Sequence, residues 1–205
     1  HLINANIETL LFELPADGED INANVARAIE KLKKQDPAPL SIISKATHIE
    51  PANYDQHLEK LGDCDLVIEA IAERVDLKSQ LYEKITPHLH DRVILASNTS
   101  GLSINPVATA VPESLRSRFC GVHFFNPPRY MHLVELIASE HSDTAMLDTL
   151  ETFLVTTLGK GVVRTKDTPN FIANRIGIFS MLTTMHHANQ FGLAFDLVDK
   201  LTGTL

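Results

Sequence analysis

The stretch Gly62-Asp63-Cys64-Asp65-Leu66-Val67-Ile68-Glu69-Ala70 opens on turn residues and becomes an apolar run. Beyond it Leu77, Leu81 and Ile85 recur at helical spacing, and Arg92-Val93-Ile94-Leu95-Ala96 then leads into Ser97-Asn98-Thr99-Ser100-Gly101. An apolar strand, a helix and a second apolar strand make a β-α-β unit, whose crossover permits parallel pairing. Strands apolar on both faces need helices on both faces, so the expected fold is α/β with a doubly wound parallel sheet.

The same rhythm extends in both directions. Upstream, Ile7-Glu8-Thr9-Leu10-Leu11-Phe12 leads to Glu13 and a Pro15-Ala16-Asp17-Gly18 turn, and Val25, Ile29 and Leu32 mark a helical stripe. Downstream, Gly121-Val122-His123-Phe124-Phe125 stops at Asn126-Pro127-Pro128, and Met146, Leu150, Phe153, Leu154 and Leu158 form a stripe that ends at Gly159. Leu133-Val134-Glu135-Leu136-Ile137 follows Phe125 after only seven residues, too few for a crossover helix. It is therefore expected to turn back antiparallel, which makes His123 and Glu135 neighbours. After Arg164 the texture changes: Asp167-Thr168-Pro169-Asn170 reads as a helix start, and Phe171 to about Gln190 as one long, rather apolar helix. The expected organisation is one domain over residues 1–166 and the beginning of a helical domain over 167–205.

Composition narrows the function classes. The chain has 205 residues, 18 Lys+Arg against 26 Asp+Glu for a net charge of −8, and 44% hydrophobic residues, a balance that suits an ordinary globular protein. No run of cations interleaved with aromatics appears, and the cluster Lys31, Lys33, Lys34 reads as a solvated helix face, so nucleic acid is not an expected partner. Cys64 and Cys120 form no CxxC pair, and no histidine sits at metal-ligand spacing, so neither a disulfide framework nor a metal site is expected. No apolar run reaches the about 18 residues that span a bilayer, and no secretory pattern opens the chain, so a cytoplasmic protein is expected.

Several residues stand out chemically. Glu13 closes the first strand, where a carboxylate either grips a nucleotide ribose or is an ordinary strand-end acid. The glycine fingerprint that accompanies the first alternative cannot be assembled from the nine glycines; the expectation is that this loop and a first strand lie before His1. His123 sits inside an apolar strand, where a lone histidine is commonly satisfied by backbone. Glu135 is a second charged residue inside an apolar strand, and two such anomalies in adjacent strands are explained by each other: a carboxylate on one ring nitrogen frees the other to take a proton. Ser100 lies in the loop after a strand, at the carboxyl end where open α/β sheets bind ligands; Ser97, Ser100 or Ser103 equally suits a helix cap. A Ser–His–carboxylate hydrolase uses the same residue types, but no GxSxG elbow surrounds the serine. The His186-His187 pair has no ligand spacing, and adjacent helical residues point about 100° apart.

Five strings in this order resemble the 3-hydroxyacyl-CoA dehydrogenase family over nearly the whole chain: Leu66 to Glu73, Ala96 to Ser100, Val122 to Pro127, Leu133 to Glu135, and Lys166 to Arg175. The likeness is to bacterial multidomain members that also carry an enoyl-CoA hydratase-like region. It implies a Rossmann-type fold, NAD as cofactor, an acyl-CoA substrate, and a homodimer built through the helical domain. It implies oxidation of a (3S)-3-hydroxyacyl-CoA to the 3-oxoacyl-CoA in fatty acid β-oxidation, with His123 as base, Glu135 orienting it, and Ser100 and Asn174 holding substrate. For NAD it points to Glu13, Ala70, Glu73, Lys78, Asn98 and Asn126. Glu13 replaces an Asp common in relatives, Asn170 stands where many members have Gly, and the loop between Ser100 and His123 differs in length from some. A related hydroxy-acid dehydrogenase and a non-catalytic NAD-binding fragment are the alternatives.

Overall fold

The computed structural model describes residues 1–203. Seven strands and six α-helices follow one another as β1 (Thr9–Glu13), α1 (Ala23–Leu32), β2 (Ile49–Asn53), β3 (Leu66–Glu69), α2 (Val75–Ile85), β4 (Ile94–Ser97), α3 (Ile104–Thr109), β5 (Phe119–Phe124), β6 (Leu133–Ala138), α4 (Thr144–Thr156), β7 (Gly161–Thr165), α5 (Ala173–Gln190) and α6 (Phe195–Thr202). The strands form two ladders, β1-β2 and β3-β4-β5-β6-β7. All pairs are parallel except β5–β6, which is antiparallel as its seven-residue connection demands.

Strand alternation sorts the core into two layers. On one face Leu95, Phe119 and Ile137 pack with Tyr82 and Ile85 of α2 and Ile104, Val107 and Ala108 of α3. On the other face Ile94, Ala96, Cys120, Val122, Val134 and Leu136 pack with Met146, Leu147, Leu150 and Leu154 of α4. Helices therefore cover both faces of the five-stranded sheet. Gly121 in β5 lets α3 approach closely, because a Cβ there would lie 2.6 Å from the Ile104 Cδ1. His123 alternates with Val122, and Glu135 with Val134 and Leu136, so both belong to the α2/α3 face of the sheet.

Four elements escape the sequence reading. β2 carries Pro51 in an edge strand, where the missing N–H costs no ladder bond. β7 follows Gly159 and Lys160 with only two apolar residues, Val162 and Val163, before Arg164. α3 is six residues long and contains Pro106, too short for a periodic stripe. α6 lies in the last stretch, beyond the single long helix read there. No helix among the described residues is long and apolar enough to cross a membrane.

Candidate active site

The antiparallel pairing sets His123 directly opposite Glu135. Their side chains meet: His123 Nδ1 lies 2.8 Å from Glu135 Oε2, with the pair's side chains only 5% and 1% exposed. A carboxylate only accepts, so the proton of this bond sits on Nδ1, and Nε2 is the ring nitrogen left for another partner. Phe125 and Phe171 bracket the imidazole, with ring centroids at 4.4 and 5.8 Å. The ring is thus shielded from water and held in one tautomer.

The second carboxylate oxygen of Glu135 has a different task. Oε1 accepts from the backbone N–H groups of Ile172 and Ala173, each at 2.9 Å. These amides belong to the unpaired first turn of α5, where a helix favours negative charge. Immediately before them, Asn170 and Phe171 adopt positive φ values of 62° and 50°. Asparagine tolerates this region, whereas Phe171 is held there by full burial in the core. The left-handed backbone at Asn170 is one that glycine would also adopt without strain.

Asp167 closes the connection on its other side. Its carboxylate accepts from Ser103 Oγ at 2.6 Å, the Ile104 N–H at 2.7 Å and the Asn105 N–H at 2.8 Å, capping α3 from 63 residues away. Asn174, on the first turn of α5, donates through Nδ2 to the Ser100 carbonyl at 3.1 Å. The Ser97–Gly101 loop, the β5–β6 pair and the start of α5 therefore converge around His123.

The loop itself is pinned from beneath. Glu73 accepts from Thr99 Oγ1 and the Ser100 N–H, each at 2.6 Å, and Asn98 Oδ1 accepts the Phe124 N–H at 3.0 Å. Ser100 is exposed, and Asn98 retains its amide nitrogen for another partner. Glu13 is exposed at the end of β1, with Oε1 taking the Leu14 N–H at 2.9 Å and Oε2 open. The Tyr54 hydroxyl is pushed up by burial and then by the Glu13 and Glu69 charges. Ala70 and Asn126 are exposed at the ends of β3 and β5. Lys78, by contrast, is fully buried and pairs with Glu69 at 2.7 Å. No cluster of metal-ligating side chains occurs among the described residues.

This donor set fits two parts of a dinucleotide. A free carboxylate oxygen at Glu13 suits a ribose diol, and Asn98, bonded to the backbone of Phe124 next to His123, keeps its amide nitrogen for a ligand. Among the described residues no glycine-rich strand-to-helix turn offers a pyrophosphate cradle. A parallel-dominated five-stranded sheet that holds a buried histidine–carboxylate pair, beside a two-stranded parallel ladder that ends on an exposed carboxylate, is an arrangement compatible with a nucleotide-dependent oxidoreductase.

Comparison with known proteins gives the family. The model of the 3-hydroxyacyl-CoA dehydrogenase NAD-binding domain matches residues 2–168, and the chain belongs to that family. It is 42% identical over 201 residues to a Rickettsia felis protein named for a fatty acid oxidation complex trifunctional enzyme, covering 98% of this chain and 28% of that one. It is 43% identical over 172 residues to the mitochondrial hydroxyacyl-coenzyme A dehydrogenase of Rattus norvegicus, covering 77% of this chain and 52% of that one. The crystal structure of (S)-3-hydroxybutyryl-CoA dehydrogenase from Ralstonia eutropha superposes with a TM-score of 0.70 at 29% identity, over 94% of this chain and 66% of that one. The chain thus spans about a quarter to a half of the two curated relatives it matches here.

Proposed function

We propose that the protein containing this chain oxidises a (3S)-3-hydroxyacyl-CoA reversibly to the 3-oxoacyl-CoA, as a step of fatty acid β-oxidation. The observation that carries this reading is the His123–Glu135 pair, buried beneath an exposed serine loop at the carboxyl edge of the sheet. Nε2 of His123 takes the proton of the 3-hydroxyl group. The carboxylate of Glu135 holds Nδ1–H, fixes the ring and offsets the charge that the imidazolium acquires. Ser100 and Asn174 hold the substrate oxygen, and the Asn174–Ser100 contact brings them together. Bound NAD supplies the hydride acceptor at its nicotinamide ring.

Glu13 grips the ribose, while Ala70, Asn98 and Asn126 line the cofactor's path along the strand ends. Glu73 acts on the same path by shaping the Thr99–Ser100 turn, and Lys78 lies beneath it. A ribose-directed carboxylate repels a 2′-phosphate, so NAD is preferred over NADP. Residues 167–203 begin a helical domain, and its exposed apolar side chains, Ile176, Phe179, Leu182 and Phe191 among them, support assembly into a homodimer. Two unpaired cysteines support a cytoplasmic setting.

The test is a substrate panel on the full-length protein with NADH. Turnover of acetoacetyl-CoA together with neglect of free acetoacetate supports the reading. Equal use of both assigns the chain to a dehydrogenase of free hydroxy acids, and saturable NADH binding without turnover of either makes it a binding module.

A further inference from the structure

The Glu69 side chain takes four hydrogen bonds in the buried interior, and the proposed chemistry does not use it. Its Oε1 accepts from the Ile71 N–H at 2.6 Å and Lys78 Nζ at 2.7 Å, and its Oε2 accepts from Ser97 Oγ at 2.8 Å and Tyr82 OH at 3.0 Å. All four side chains, Glu69, Lys78, Tyr82 and Ser97, are buried. The main-chain carbonyl of Glu69 also accepts the Asn98 N–H at 2.7 Å. One residue therefore ties together the end of β3, the turn at Ala70 and Ile71, the α2 face carrying Lys78 and Tyr82, and the first two residues of the Ser97–Gly101 loop.

A buried carboxylate with four donors is costly to assemble, and replacing such a pair by apolar groups is often neutral for stability. What this arrangement supplies is geometry. A hydrophobic contact tolerates sliding, whereas four directional bonds fix the Ala70 turn relative to Asn98. Lys78 has no exposed surface with which to meet a ligand, and burial together with the Glu69 charge pushes the Tyr82 hydroxyl up, so it stays a neutral donor.

We propose that Glu69 and Lys78 are a positioning pair: Lys78 acts on the cofactor through Glu69, which sets the Ala70 turn and the Asn98–Ser100 loop in register with each other. This rests on the dehydrogenase reading of the same site.

The experiment uses the full-length protein and compares wild type, Lys78→Met, the double variant Glu69→Gln/Lys78→Met, and Tyr82→Phe. Three quantities are read: thermal midpoint, NADH dissociation constant by fluorescence, and hydrogen exchange of the Ile71, Asn98 and Ser100 amides. Lys78→Met strands a buried charge and lowers the midpoint, and the double variant regains most of that loss. The positioning role requires that the double variant, although restablised, still exchanges those amides faster and binds NADH about tenfold to a hundredfold more weakly, as small misplacements cost. Tyr82→Phe removes one donor on the α2 side and shifts the same amides in the same direction to a smaller extent, which keeps the test open if the double variant fails to fold. Wild-type exchange and affinity in the restabilised variant overturn the proposal. Weaker NADH binding with unchanged exchange also overturns it, in favour of a direct Lys78 contact. If the wild type itself binds no NADH while exchange responds as described, the dehydrogenase reading fails and the Glu69 hub stands.

Discussion

Glu135 lies directly across the antiparallel β5–β6 pair from His123 and divides its carboxylate between that imidazole and the first amides of α5. The imidazole proposed as the base and the start of the helical segment therefore share one anchor. Glu135→Ala leaves two amides and one ring N–H without their acceptor in a nearly dry site, each costing about 1–3 kcal/mol. Glu135→Gln keeps an acceptor for the helix amides but loses the charge. The expected order of urea midpoints is wild type, then Gln, then Ala, with both variants impaired in turnover. Equal midpoints for all three remove the anchoring role.

Asp167 caps α3 while standing on the connection to α5. Asp167→Ala is expected to cost about 1–3 kcal/mol, and Asp167→Asn a large part of that, because both carboxylate oxygens accept from donors and the asparagine NH2 would face one of them. Chemical denaturation of the three proteins measures this, and an Ala variant as stable as wild type contradicts it.

Asn170 holds a left-handed backbone at φ 62°. A Cβ-bearing residue without asparagine's local polar compensation pays about 1–2 kcal/mol there. Asn170→Ala should lower the unfolding free energy by that amount, whereas Asn170→Gly should leave it nearly unchanged. The opposite order contradicts the strain assigned to this turn.

Burial pushes the Cys120 thiol from its ordinary value of 9.0 up to about 12. The folded state therefore holds this proton more tightly than the unfolded chain. The stabilising contribution is complete below about pH 9 and is lost as pH rises towards 12, at about 1.4 kcal/mol per pH unit. Urea midpoints measured at pH 8, 10 and 11 should fall along this slope, and Cys120→Ala should flatten it. An unchanged slope in the variant contradicts the assignment.

Much of this architecture is written locally. The apolar runs of β3, β4 and β5 and the stripes of α2 and α4 declare themselves, and the seven-residue return after Phe125 forces β6 antiparallel. The charged residue inside an apolar strand points to Glu135, and Leu66-Val67-Ile68-Glu69 carries the same signal. Other parts depend on contacts no local pattern encodes. Asp167 finds Ile104 across the chain, the amides of α5 find Glu135, and Lys78 turns inward to Glu69 although lysine on a helix ordinarily faces water. β2 and α3 escape because each contains a proline in a short element.

The central claim is that His123 is the base, and one measurement addresses it most directly: the turnover number and NADH dissociation constant of His123→Gln in the full-length protein, with acetoacetyl-CoA as substrate. Loss of a positioned general acid–base predicts a fall in turnover of at least about 10²-fold to 10⁴-fold, with NADH affinity nearly unchanged because His123 is shielded between Phe125 and Phe171. Turnover equal to wild type would remove His123 from the chemistry.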